Sequence, residues 1–117
     1  MEPSIKEHRS MAYGVDILVK SATGKLLVCV EVKRSSAELQ KLMRDFRQCC
    51  KRGEHAEADC GFPQNHPIYE FCALYKPAYF WAVAPYEDIC FRMSYDNRTP
   101  EPEELETLPP RSTIEAD

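Results

Sequence analysis

Apolar residues fall along this chain in two rhythms, and together they mark out most of its elements. Residues 3–12 predict a short helix, opened by Pro3 and stopped at Gly14. Val15 to Val19 is a compact apolar run with Asp16 embedded in it. Ser21-Ala22-Thr23-Gly24 reads as a turn, and Leu26 to Val32 is the clearest strand, rich in valine and bounded by polar residues. The two runs predict a β-hairpin. Ser35-Ser36-Ala37-Glu38 has the form of a capping box, so a helix should start there and run to about Lys51. Leu39, Met43, Phe46 and Cys50 recur on its buried stripe, while Gln40, Arg44, Arg47 and Lys51 share another face. The stretch 53–66 is irregular. Pro67 opens a second helix over Ile68 to Tyr75, which Pro77 ends. Tyr79 to Ala84 and Ile89 to Tyr95 read as two strands separated by a Pro85-Tyr86-Glu87-Asp88 turn. The predicted order is α-β-β-α-α-β-β, an α/β fold with a central mixed sheet of about four to five strands flanked by helices.

Composition alters that picture mainly at the C-terminal end. The 117 residues suit one domain, expected over 1–95. From Asp96 onward Pro and Glu dominate, and 96–117 reads as an acidic tail, mobile or lying along a partner. The net charge of -4 argues at first against a nucleic-acid partner. Residues 96–117 carry seven acidic side chains and two arginines, however, so the rest of the chain sums to +1. Seven of the fifteen basic residues lie between Lys33 and Arg52. No apolar run approaches the roughly 20 residues of a membrane span. The polar N-terminus is no signal peptide, and a cytoplasmic protein with no membrane association is expected. Without a secretory context, the six cysteines read as free structural thiols.

The chemistry concentrates at the hairpin. Alternate strand residues share a face, so Glu31 and Lys33 point the same way, with Leu27 and Cys29 expected beside them. A turn centred near Thr23-Gly24 puts Asp16 opposite Glu31, where cross-strand β-carbons sit about 4.5–5.5 Å apart. A carboxylate in an apolar run is costly unless it is paired or binds a cation. Two close carboxylates repel, which a hard divalent cation relieves.

Gly14-Val15-Asp16-Ile17-Leu18, a hairpin, then Val30-Glu31-Val32-Lys33 before a helix resembles the PD-(D/E)xK nuclease superfamily, the restriction endonuclease-like fold. The resemblance covers about residues 1–95, although Val15 stands where the family often has proline. It implies Mg²⁺-dependent phosphodiester hydrolysis of nucleic acid, DNA rather than RNA, with Mn²⁺ as a substitute ion. It assigns the metal to Asp16, Glu31 and the main-chain carbonyl of Val32. Lys33 would orient or deprotonate the attacking water, and Glu7 in the first helix would be an additional acidic residue. Arg44, Arg47 and Lys51 are placed to contact phosphates, and Gln40 sugar or backbone; the same pattern fits a solvated helix face. A homodimer would let so small a chain span a duplex. The alternative is a non-catalytic interaction or regulatory module that keeps the hairpin.

Other constellations are weaker. His55, Cys60 and His66, with Cys49 or Cys50, follow no standard zinc spacing, so zinc is not expected from it. The close cysteine pair of an iron–sulfur nuclease is missing. Tyr79, Phe80 and Trp81 read as core and interface rather than as a base-stacking platform.

Overall fold

The hairpin forms where the hydrophobic pattern puts it. The computed structural model describes residues 16–116; the helix expected over 3–12, and Glu7 with it, lies outside that range. β1 (Ile17–Lys20) and β2 (Leu26–Val32) pair antiparallel. The turn closes through the Ser21 N–H on the Lys25 carbonyl at 2.9 Å and the Gly24 N–H on the Ser21 carbonyl at 3.0 Å. Gly24 sits at φ +89°, a backbone region that side chains with a Cβ rarely adopt. α1 (Ser36–Arg52) opens as expected on Ser35, whose hydroxyl accepts the Glu38 N–H at 3.2 Å. A short 3-10 turn at Glu57–Asp59 and α2 (His66–Tyr75) complete a crossover. β3 (Tyr79–Val83) then joins β2 in parallel, and β4 (Asp88–Asp96) pairs antiparallel with β3.

The acidic segment beyond Asp96 is not a mobile tail. It supplies β5 (Thr99–Leu105), antiparallel to β4, and a last short helix, α3 (Arg111–Ala116). The sheet is therefore mixed and five-stranded, in the order β1-β2-β3-β4-β5, and the predicted order gains a strand and a helix at its end. Pro100 and Pro102 face Tyr95 and Met93 across the ladder. An edge strand tolerates proline because only one of its sides must donate hydrogen bonds. The exposed Glu101, Glu103 and Glu104 protect that edge from pairing with another chain. A two-residue turn at Asn97-Arg98, with Asn97 at φ 57°, returns the chain.

One local irregularity changes which side chains share a face. Val19 pairs with Val28 but Lys20 with Leu26, so Leu27 is an extra residue in β2. Leu27 consequently packs with Val28 and Val30 on one side of the sheet, while Cys29 joins the core on the other. The expectation that Leu27 accompanies Glu31 is corrected by this bulge. The face beneath α1 and α2 holds the larger core, where Phe46 meets Phe80 at 4.7 Å between centroids and Phe80 meets Phe91 at 6.2 Å. On the opposite face Val28, Val30, Tyr79 and Ile114 cluster with Trp81, Leu105 and Leu108.

A buried carboxylate that the pattern did not single out ties the helices together. Asp45 accepts hydrogen bonds from Lys41 at 2.7 Å and from the buried Asn65 amide at 2.6 Å. Asp45→Ala leaves that amide without its acceptor, so it should cost about 2 kcal/mol, read from denaturant midpoints. Adding Asn65→Ala should cost less than the sum of the two single changes, because both remove the same bond.

Candidate functional site

β1 and β2 bring Asp16 opposite Glu31, since Ile17 pairs with Val30 and the next step out along the ladder joins those two. Asp16 is held there by its own acceptor: its Oδ2 takes the Val32 N–H at 2.8 Å. The Glu31 carboxyl lies beside Asp16 on the ladder, and its Oε1 is 3.8 Å from Lys33 Nζ. Glu31 is only 4 % exposed, and its Oε2 has no hydrogen-bond partner. Burial, then the hydrogen bond and charge of Asp16, push its carboxyl up to about 8, with Lys33 pulling the other way. Lys33 is partly buried, and its N–H donates to the Val83 carbonyl at 2.7 Å. The expected convergence of Asp16, Glu31 and Lys33 is present. It lies at the carboxyl ends of the parallel strands β2 and β3, where open α/β sheets bind their ligands. Val32 contributes the N–H that orients Asp16, and its side chain is exposed.

The four helix residues expected to meet nucleic acid lie on an exposed face of α1, but they are not equally free. Gln40 Nε2 donates to Glu87 at 3.3 Å. Arg47 is paired with Glu104 of β5 and lies over the Phe91 ring, 5.5 Å from its centroid. Arg44 and Lys51 are exposed. The acidic segment thus covers the basic helix at Arg47, as a fixed strand.

A second constellation lies at the other end of α1. Its 17 residues make the helix about 25 Å long. Cys49 at the end of α1, His55 and Cys60 in the connecting segment and His66 at the start of α2 bring four ligand atoms within 4.8 Å of one another. Cys49 and Cys50 are both buried in the core, but Cys50 is not part of this group. Burial, then Cys60, push the Cys49 thiol up to about 12. None of the six cysteines is in a disulfide. The sequence names this set, with Cys49 or Cys50, but its C-x5-H-x4-C-x5-H spacing matches no standard zinc pattern, so zinc is not expected there from sequence. The available signal was the clustering of Cys and His residues in a connection without regular structure.

No family model, curated protein or solved structure matches this chain. Among the described residues no helix is long and apolar enough to cross a membrane.

Proposed function

We propose that the protein is a small metal-dependent nuclease of the PD-(D/E)xK type, on a restriction endonuclease-like fold, hydrolysing phosphodiester bonds in DNA. The observation that carries this reading is the buried Glu31 Oε2, without a partner, beside an Asp16 carboxylate pinned by the Val32 N–H. Two facing carboxyl groups with an unsatisfied buried oxygen fit a hard divalent cation. Asp16 and Glu31, with the Val32 carbonyl, would hold Mg²⁺ or Mn²⁺. When bound, the ion supplies Lewis-acid charge to the scissile phosphate.

The chain's own residues do the rest. The Val32 N–H keeps Asp16 aimed at Glu31, so the negative charge is in place before substrate arrives. Lys33, on the same strand face as Glu31, offers N–H donors to the attacking water and to phosphate oxygens. Arg44 and Lys51 extend positive charge along α1 for the backbone of the duplex. Apposition of two copies would let these short elements address both strands.

The test is a cleavage panel of plasmid, duplex and single-stranded DNA, and RNA, with and without Mg²⁺ or Mn²⁺. Wild type should cut DNA only with a divalent ion. Lys33→Ala should lose a factor of about 10²–10⁴ in rate while keeping the thermal shift that Mg²⁺ produces. A wild type that binds Mg²⁺ and oligonucleotide without cutting either would overturn the nuclease reading in favour of a non-catalytic interaction module.

A further inference from the structure

We infer that Cys49, His55, Cys60 and His66 form a closed, structural zinc site that clips the 53–65 connection onto the ends of α1 and α2. The four side chains come from three separate segments yet converge within 4.8 Å. The Cys49 and Cys60 sulfurs are 3.8 Å apart. Two thiolates at about 2.3 Å from a tetrahedral zinc are separated by about 3.8 Å.

The histidines are prepared as ligands in complementary ways. His55 Nδ1 lies 2.7 Å from the Gly53 carbonyl, which can only accept, so Nδ1 carries the proton. That leaves the lone pair on Nε2, a buried atom with no partner. His66 is reversed: Nε2 donates to Glu70 at 3.2 Å, and Nδ1 is buried without a partner. His66 is only 1 % exposed, so its unpaired nitrogen has no water to turn to. A ligating histidine typically donates its other ring N–H to a carbonyl or carboxylate, and both forms occur here. Cys60 Sγ also accepts the Phe62 N–H at 3.3 Å, a bond that favours the thiolate. The backbone around it is held by Arg52, which donates to the Asp59 carbonyl at 2.6 Å.

The donor set selects the metal. Two thiolates and two imidazoles suit zinc, whereas the carboxylates at the hairpin suit a harder ion. Binding releases the two thiol protons to solvent, and the two thiolates cancel the charge of Zn²⁺, leaving a neutral centre that tolerates burial. Four protein ligands leave no open position, so the role is structural. A connection with only a three-residue 3-10 turn of its own is long for a loop, and a metal clip adds to the anchorage that Asn65 and Phe62 provide.

The test uses the full chain, expressed in zinc-supplemented medium and assayed for metal by plasma mass spectrometry. One zinc per chain is expected. The protein refolded with Co²⁺ should show the intense visible bands of a tetrahedral ion and a near-ultraviolet thiolate charge-transfer band. Cys60→Ser and His66→Ala should each lose stoichiometric zinc and, where folded, melt at a lower temperature. Glu31→Gln, at the other end of α1, should keep its zinc whatever it does to nucleic acid, so the result is independent of the nuclease reading. The inference is overturned if wild type holds only substoichiometric zinc and gives an octahedral Co²⁺ spectrum. It is equally overturned if Cys49 and Cys60 are recovered as a disulfide from protein purified under reducing conditions.

Discussion

Replacing Glu31 with glutamine should stabilise the metal-free protein and abolish the proposed metal-dependent cleavage at the same time. Glu31's carboxyl titrates near 4.5 in an unfolded chain and at about 8 in the folded one, chiefly because it is buried and secondly because Asp16 is beside it. Between those pH values the folded state binds a proton that the unfolded state has lost. Stability therefore falls as pH rises, by up to about 1.4 kcal/mol per pH unit. Glutamine has nearly the same shape and no charge to bury. The gap between Glu31→Gln and wild type should thus be near zero at pH 4.5, widen through pH 8 and then level off at about 5 kcal/mol. Denaturant midpoints in buffer free of Mg²⁺ and Mn²⁺ measure it, and parallel curves for the two proteins would refute the account. On the proposed nuclease reading the same substitution also removes a metal ligand, so cleavage should drop at least about a hundredfold. Added Mg²⁺ should stabilise wild type increasingly as pH rises, and leave the variant unmoved. A buried carboxylate that costs stability yet serves the proposed activity would be an expected form of trade-off at a functional site.

Removing residues 97–117 is expected to unfold the chain rather than to bare a basic surface. The segment contributes seven register pairs with β4, the fully buried Pro100, and Ile114 in the second core cluster. Burying a large aliphatic side chain is worth about 1.5–3 kcal/mol, and a domain's whole stability is about 5–15 kcal/mol. Loss of a strand together with its buried side chains therefore consumes most of that margin. Circular dichroism should show no cooperative thermal transition for the truncated chain; a melt at the full-length midpoint would contradict the assignment of β5. Glu104→Gln is the gentler probe of charge. It breaks an exposed pair with Arg47, should change stability by less than about 1 kcal/mol, and frees the Arg47 guanidinium for phosphate.

The reading of the hairpin from sequence succeeded because its information is local. Two apolar runs, a Ser-Ala-Thr-Gly turn and a period of two place Asp16 opposite Glu31 without help from the rest of the chain. The Ser35 cap and the buried stripe of α1 are local in the same sense, since capping and helical spacing are properties of neighbouring residues. Leu27 shows the limit of that logic. A bulge inserts one residue and reverses a face, and nothing in a run of valines and leucines marks where it falls. β5 failed for another reason. Its prolines and glutamates have the composition of a solvated tail, and only the waiting edge of β4 makes them a strand. The Asn97-Arg98 turn between Tyr95-Asp96 and Thr99 was the available sign.

By itself, then, the sequence determined the mixed α/β character, the hairpin and the meeting of Asp16, Glu31 and Lys33, because short-range periodicity sets them. The tertiary structure alone decided three things. It buried Glu31 deeply enough to displace its proton equilibrium, it paired Arg47 with Glu104 across the sheet, and it gathered Cys49, His55, Cys60 and His66. Each depends on how α1 lies against α2, β3 and β5. Contacts between residues far apart in the chain are set by packing of the whole core, and no local pattern of residues encodes them.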